Sequence, residues 1–368
     1  MNRLTLLSVL AWSGLALNFG PVVEAQSGPD KRLLQKTSIQ AEAKPIEELL
    51  RELSEKHKLT LELDPSFAAN GHGSETFTLT ADGLTLASVL NLICDSTELA
   101  YAAEKGKLLV TTKEADSKNM FVREYPLAPL GAIGDPQVFA VGLTEVASGL
   151  WKDVDGEGGE ILAISPRSLS IRQSRAVHAE LQTLFEQIAT AGRARTPSVQ
   201  ERAEQTIVRK LQTPASLSAG EVPVSEVLDQ LLKKNGVPYW IDLQGLADEG
   251  IDWSKATTSV EAKKMPTAAR LDAILNPLEL TWRVANEVVQ ITTRIKASEQ
   301  QVVRVYDVRR LITPNRSLNA IAIQLTANED LKPWEVNDGE GGAILELGTL
   351  LVVRQNMAIH AKLAGLLK

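Results

Sequence analysis

The sequence carries the segment Trp151-Lys-Asp-Val-Asp-Gly-Glu-Gly-Gly-Glu-Ile161, and about 180 residues later it carries Trp334-Glu-Val-Asn-Asp-Gly-Glu-Gly-Gly-Ala-Ile344. The strand-like segment that follows also recurs, as Ser168-Leu-Ser-Ile-Arg-Gln173 and Thr349-Leu-Leu-Val-Val-Arg-Gln355. Each glutamine is followed five positions later by a histidine, His178 or His360. Chance does not produce matches in this order, so the sequence predicts a tandem duplication.

The repeat continues upstream of these segments. Lys44-Pro-Ile-Glu-Glu-Leu-Leu50 corresponds to Val222-Pro-Val-Ser-Glu-Val-Leu228, and Thr111-Thr112 corresponds to Thr292-Thr293. Between the copies, residues 191–205 contain Gly, Arg, Thr, Pro and Ser and have no apolar periodicity. This composition predicts a linker.

The first half of each unit has the pattern of a small βαββαββ domain. Apolar residues from Ile46 to Leu53 lie at helical spacing, with Pro45 in the first turn. A strand is expected at 59–63, a second helix at 86–94, and a hairpin that turns at Lys105-Gly106.

The second half of each unit has the pattern βαββα. An alternating strand at 122–127 or 302–308 precedes a helix that we expect to end near Trp151 or Trp334. A glycine-rich turn, two strands and a final helix complete the unit. Helices that pack on small sheets of antiparallel or mixed strands define the α+β class, so we expect four small two-layer α+β domains.

These segments resemble two known domain families. Pro45-Ile-Glu-Glu-Leu-Leu-Arg-Glu-Leu-Ser54 and Leu59-Thr-Leu-Glu-Leu-Asp-Pro65 resemble the short N-terminal (STN) domain of secretins and TonB-dependent receptors. The half that begins near Tyr125 is similar to the KH-like repeat domain that follows it in secretins. The resemblance implies STN-like domains at 33–114 and 206–295 and KH-like domains at 119–190 and 300–368.

The same resemblance implies a function. In secretins these domains form stacked periplasmic rings and dock other secretion components, which implies protein binding. The second STN-like copy departs from the pattern because Gly245 to Lys255 enlarge a loop that contains Trp253. No alternating-strand region follows the last helix, so we expect no outer-membrane pore domain.

The first residues predict export. Arg3 precedes an apolar run from Leu4 to Leu17, and Val23-Glu-Ala25 offers a cleavage site, so residues 1–25 read as a signal peptide. The run is shorter than the ~20 residues that a spanning helix needs. No cysteine lies near the cleavage site to accept a lipid, and we expect a periplasmic or extracellular protein without a transmembrane segment.

Composition limits the partners and the chemistry. The net charge is −7, and the sequence has no cluster of Lys and Arg residues of the kind that binds a phosphate backbone. Nucleic acid is therefore not expected as a partner. The KH-like topology does not change this, because no Gly-x-x-Gly with adjacent Lys or Arg lies between helices. The single cysteine, Cys94, excludes an intrachain disulfide and reads as a small buried thiol.

We expect no catalytic residues, no cofactor and no metal site. His178 and His360 lack a second ligand at metal spacing and are interpreted as packing or surface residues, and His57 and His72 are no more convincing. The sequence also lacks Gly-x-Ser-x-Gly and His-Glu-x-x-His motifs. The chain is therefore predicted not to be an enzyme.

Two features of the repeated segment stay open. The acidic turns around Asp155 and Asp338 are candidate calcium sites, but glycines 156, 158 and 159 favour turns that need positive φ. Trp151 and Trp334 are either core residues or ligand-stacking residues. The leading hypothesis is a scaffold that binds envelope proteins or other copies of itself; the alternative is an extracytoplasmic glycan or small-ligand binding module at the Gly-rich turns and the Trp253 loop.

Overall fold

The computed structural model describes residues 30–69, 71–131, 133–193, 197–261 and 263–367. The expected signal peptide, residues 1–25, lies outside these ranges. The helices and strands form an α+β fold, as the sequence predicts, and they divide into four sets with separate small sheets. Within the described ranges, none of the helices is both long and apolar enough to cross a bilayer.

The first domain has a two-stranded sheet, β1-β3, and a three-stranded sheet in the order β2-β5-β4. Strand β2 is parallel to β5, while β4 and β5 form an antiparallel hairpin that turns at Lys105 and Gly106, both with positive φ. Its elements are β1 (Lys36–Pro45), α1 (Ile46–Lys56), β2 (Thr60–Leu63), α2 (Pro65–Ala69), β3 (Thr76–Thr85), α3 (Leu86–Ser96), β4 (Leu99–Glu104), β5 (Lys107–Thr112) and α4 (Lys113–Lys118).

The second domain is a three-stranded antiparallel sheet in the order β6-β8-β7, with helices against one face. Its elements are β6 (Phe121–Pro126), α5 (Pro136–Val146), α6 (Lys152–Asp155), β7 (Glu160–Ile164), β8 (Ser168–Gln173) and α7 (Arg175–Thr190). The expected βαββα order is present, with the short α6 added in the turn. Helix α5 ends at Val146 rather than near Trp151, because Trp151 leaves the helical conformation to form a bridge with Gly159.

The third and fourth domains repeat these strand orders. The third has sheets β10-β12 and β11-β15-β14 and a short pair β9-β13, and the fourth has the sheet β16-β18-β17. The third contains α8 (Val199–Leu211), β9 (Pro214–Ala215), β10 (Ala219–Pro223), α9 (Val224–Leu231), β11 (Tyr239–Ile241), α10 (Leu243–Asp248), β12 (Thr257–Val260), β13 (Met265–Pro266), α11 (Thr267–Leu275), β14 (Leu280–Ala285), β15 (Val288–Thr293) and α12 (Arg294–Glu299). The fourth contains β16 (Gln301–Asp307), α13 (Leu318–Thr326), α14 (Glu335–Asp338), β17 (Ala343–Leu347), β18 (Leu350–Asn356) and α15 (Met357–Leu366).

Side-chain caps explain where many of these helices begin. Thr85 accepts a hydrogen bond from the backbone N–H of Ser88, and Ser174 does the same for Val177, which satisfies helix-terminal donors. Ser198 and Glu201 form a capping box. Helix α8 therefore starts at Val199, so the second half of the segment expected to be a linker is helical.

The fourth domain stacks its sheet on the helices of the second. Side chains alternate along β18: Leu351 and Val353 enter the core of the fourth domain, whereas Leu350 and Val352 belong to the core of the second. Helix α5 contacts β17 and helix α7 contacts β16. The sheet of the fourth domain is consequently buried on both faces.

The third domain packs its three-stranded sheet on the first domain. Trp240 on β11 and Val288 on β15 belong to the core of the first domain, where Trp240 stacks on Phe77 with a centroid distance of 6.2 Å. Every residue of β15 is buried. The two contacts together make a two-layer molecule in which the sheets of the third and fourth domains pack on the first two domains.

One buried carboxylate anchors this contact. Glu287, at the tip of the β14-β15 hairpin, forms an ion pair of 2.5 Å with Lys36 and accepts a hydrogen bond of 2.5 Å from the backbone N–H of Thr85. Although burial acts to raise it, these hydrogen bonds hold the pKa of Glu287 below its usual value. The negative charge of this carboxylate, which lies near the N-terminus of α3, also interacts favourably with the helix dipole.

Candidate interaction surface

A tyrosine–histidine pair joins the first strand of each βαββα domain to its last helix. The Tyr125 hydroxyl lies 2.7 Å from Nδ1 of His178, and Nε2 of His178 lies 3.0 Å from the carbonyl oxygen of Phe121. In the second pair, the Tyr306 hydroxyl lies 2.9 Å from Nδ1 of His360, and Nε2 of His360 lies 2.8 Å from the carbonyl oxygen of Val302. Because a carbonyl only accepts, Nε2 carries the proton and Nδ1 accepts from the tyrosine.

Both histidines are fully buried and neutral. Burial lowers the pKa of His178 and of His360 to about 4. A neutral imidazole whose two nitrogens are both hydrogen-bonded has no free site for a metal or a proton transfer. The structure therefore places these two residues as internal braces, in agreement with their interpretation as packing residues.

The glycine-rich turn is required by two different constraints. Gly156 and Gly158 have φ of 81° and 103°, as the sequence predicts. Gly159 has no positive φ; a Cβ there would overlap the amide of Gln173. That amide donates to the carbonyl of Leu150 at 2.8 Å and holds the turn closed. In the second copy Gln355 donates to the carbonyl of Pro333 at 2.7 Å.

The acidic residues of these turns serve as backbone acceptors. Asp155 accepts from the backbone N–H of Trp151 at 2.6 Å, and Asp338 accepts from that of Trp334 at 2.8 Å. No group of three His, Cys, Asp or Glu side chains converges on a metal-binding position within the ranges that the structure describes. Each of these carboxylates is thus used in a hydrogen bond that closes its own turn.

The two repeated tryptophans are core residues. Trp151 is 1% exposed and Trp334 is 0% exposed, so neither ring is free to stack on a ligand. The Trp151 indole donates to the carbonyl of Ser148 at 3.2 Å, whereas Nε1 of Trp334 finds no acceptor among the described residues. Trp253 is partly buried against the core of the third domain and does not line the two main cavities.

The remaining candidates are also held in packing. Burial raises the pKa of the Cys94 thiol to about 12, which removes thiolate reactivity. His57 lies 3.0 Å from the amide oxygen of Gln35, and His72 lies 3.1 Å from the carboxylate of Glu75. Cys94, His57 and His72 all belong to the first domain.

An open cleft of about 1390 Å³ lies between the third and fourth domains, next to the end of helix α7. Five arginines and four carboxylates line it: Arg193, Arg209, Arg283, Arg294, Arg304, Glu201, Glu204, Asp272 and Asp307. The two signs nearly balance, and Asp307 is already paired with Arg309 at 2.8 Å. The cleft therefore does not concentrate a charge that would select one ligand.

The second cavity is a groove of about 790 Å³ along the seam between the second and fourth domains, and we call it the seam groove. Corresponding elements of both domains line it, namely α5, α6 and β7 from one and α13, α14 and β17 from the other. Four of its aliphatic side chains are exposed: Val141 by 56%, Val154 by 52%, Ile323 by 57% and Val336 by 77%. Clustered exposed aliphatic residues mark interaction sites in soluble proteins.

The charges that line the seam groove are all negative among the described residues: Glu145, Asp153, Glu335 and Glu346. Arg354 neutralises Glu335 at 2.8 Å, and Glu346 accepts a hydrogen bond from Asn319. The carboxylates of Glu145 and Asp153 make no ion pair or hydrogen bond within the described ranges. The groove thus combines exposed aliphatic side chains with an acidic rim.

Comparison with known proteins gives only distant structural similarity. No family model and no curated protein matches the sequence. A chain of the enterotoxigenic Escherichia coli GspC–GspD complex from the type II secretion system aligns with 43% of this chain and 100% of its own length, at 9% identity and a TM-score of 0.18. That overlay is too poor to assign a fold or a partner.

The sequence did not point to the seam groove. Residues such as Val141 and Ile323 lie at the same helical spacing as the core residues beside them, and periodicity alone does not separate two adjacent apolar stripes of one helix. A usable signal exists in the repeat, since α5 and α13 share a second stripe of similar residues. This shared stripe indicates an interaction surface only once the structure shows that both helices line the same groove.

Proposed function

We propose that this protein is a non-enzymatic, exported scaffold of the bacterial cell envelope that binds other proteins. The observation that carries the proposal is the seam groove, an exposed aliphatic surface contributed by two stacked domains. A surface of this kind fits a protein partner better than a small polar ligand, because it offers apolar area and few directional hydrogen bonds.

Other features support the same proposal. The resemblance of the four domains to STN and secretin KH-like domains favours docking of envelope components, and the predicted signal peptide favours export. The two buried histidines are both hydrogen-bonded inside their domains, which is consistent with a structural role for them. We also propose that the two halves derive from one duplicated unit, since the strand orders recur.

The test measures the mass of the mature protein by light scattering, with and without a solubilised envelope extract from the native host. We expect a saturable complex of fixed stoichiometry with one or a few envelope proteins. If the protein stays alone at every extract concentration, the scaffold proposal is wrong.

A second candidate, small-ligand binding, has one observation in its favour, the large cleft between the third and fourth domains. In that case an acidic sugar or a small carboxylate would raise the thermal unfolding temperature, and Arg304→Ala would remove the increase. The balanced charges of the cleft make it the weaker candidate.

A further inference from the structure

The walls of the seam groove are two matching helical stripes. Helix α5 contributes positions spaced i, i+3, i+4 and i+7, and α13 contributes the same spacing with similar residue types. The stripes are Gln137, Ala140, Val141 and Thr144 on α5 and Asn319, Ala322, Ile323 and Thr326 on α13. The two stripes therefore border the groove from two helices, and we call the space between them the trough.

The exposed surface of the trough comes from its larger aliphatic side chains. Ala140 and Ala322 occupy the same position in both stripes and are buried, 2% and 7% exposed, whereas the residue that follows each, Val141 or Ile323, is exposed. The threonine hydroxyls donate to carbonyls in their own helices, 2.7 Å from Thr144 to Val141 and 3.2 Å from Thr326 to Ile323. The hydroxyl donors are therefore already used, and the threonines can present their methyl groups to the trough.

The acidic rim specifies the charge of the occupant. Glu145 and Asp153 are not neutralised by any described side chain, and no Lys or Arg lines the groove within the described ranges. A bound anionic segment would meet like charges in a partly desolvated site, whereas Lys or Arg would meet complementary ones. A segment with aliphatic residues on one face and basic residues on its flanks is complementary both to the exposed aliphatic side chains of the groove and to its acidic rim.

We infer that the seam groove binds one amphipathic helix of a partner protein, with aliphatic residues facing the trough and Lys or Arg facing the rim. The inference rests on the proposed scaffold function and identifies the chemistry of the partner. Aliphatic anchors spaced i, i+3, i+4 and i+7 on the partner would pack between the two stripes. Basic residues beside them would pair with Glu145 and Asp153.

The probe is a fluorescent peptide of about 18 residues, long enough for five turns, built from Leu on one face and Lys on the other. Its counterpart has Glu in place of Lys. Anisotropy should show saturable binding of the Leu/Lys peptide and no binding of the Leu/Glu peptide. The double variant V141N/I323N should weaken Leu/Lys binding at least tenfold, because it removes exposed aliphatic contacts without disturbing the core.

Matched controls separate the groove from the general acidity of the chain. Val138 is also exposed on α5 but does not line the groove, so V138N should leave binding unchanged. E145K should weaken binding, whereas E249K, which makes the same charge change outside the groove, should not. Equal binding of both peptides, or full affinity in V141N/I323N, overturns the inference. In that event, capture of envelope proteins by the same double variant would show that the scaffold proposal stands on another surface.

Discussion

The histidines of the Tyr125–His178 and Tyr306–His360 pairs should make the protein sensitive to acid. Burial holds their pKa at about 4 in the folded chain, while an unfolded histidine takes up its proton near its ordinary value of about 6.5. Their contribution to stability is therefore complete above pH ~6.5 and is lost as the pH falls toward 4. We expect the unfolding temperature to drop across this window and the native imidazole NMR signals to titrate near 4; titration near 6.5 would contradict the burial.

The contribution of the two tyrosine hydroxyl groups to stability can be tested by substitution at both pairs. Y125F and Y306F each leave a buried Nδ1 without a donor, which should cost about 1–3 kcal/mol of unfolding free energy. The two sites lie in separate domains, so their effects should add in the double variant. Single variants as stable as the wild-type protein would show that the hydroxyl is not part of the brace.

At the level of elements, the contact between α5 and β17 depends on a glycine. A Cβ on Gly142 would overlap Cδ1 of Leu345. The corresponding residue on α13 is Gln324, which is exposed and, among the described residues, faces no strand of another domain. G142Q should lower the free energy of unfolding by about 1–3 kcal/mol, because the added atoms must enter a packed interface. The loss outweighs the ~1 kcal/mol that replacing a helical glycine returns.

A second substitution checks the cause of this loss. L345A removes the side chain that Gly142 accommodates, so G142Q and L345A together should be less destabilising than the sum of the two changes. Q324G, on the exposed face of α13, should cost about 1 kcal/mol in helix propensity, plus the contribution of the exposed hydrogen bond that Gln324 accepts from Arg316. Chemical denaturation of the four proteins measures all of these values, and strictly additive effects would mean that the two residues do not share a contact.

Local patterns in the sequence were enough for the α+β class and for most of the element order. The strand near Tyr125, the helix after Gln173 and the hairpin at Lys105 follow from periodicity and turn residues. The predicted end of α5 and start of α8 were wrong. The bridge at Trp151 depends on a contact with Gly159 that local sequence does not encode, whereas the capping box Ser198-x-x-Glu201 that starts α8 is readable in the sequence and was overlooked. The role of Gly159 was missed for the same reason, as only the packed Gln173 amide reveals it.

At the scale of the whole molecule, the stack ends at two layers because its outer sheet faces are polar. In the second domain Ser168 and Ser170 take the places that Leu350 and Val352 occupy on the buried sheet of the fourth. In the first domain Glu62 and Lys107 form an exposed ion pair of 2.6 Å where the third has Trp240 and Val288. These substitutions explain why the sheets of the first layer do not recruit another layer.

This arrangement predicts how the stack could be extended. A contact between the helices of one molecule and the sheet of another uses two different surfaces. If both outer surfaces are compatible, such contacts generate an open chain of molecules rather than a closed pair. S168L/S170V makes the outer sheet apolar, and Q324G adds on α13 the glycine that α5 uses to receive a strand. The triple variant should therefore associate with rising concentration into species larger than dimers, as measured by light scattering. Q324G alone should keep the wild-type mass, because it leaves the polar sheet unchanged. If the triple variant also keeps that mass over a hundredfold range of concentration, polarity of the outer sheet is not what ends the stack.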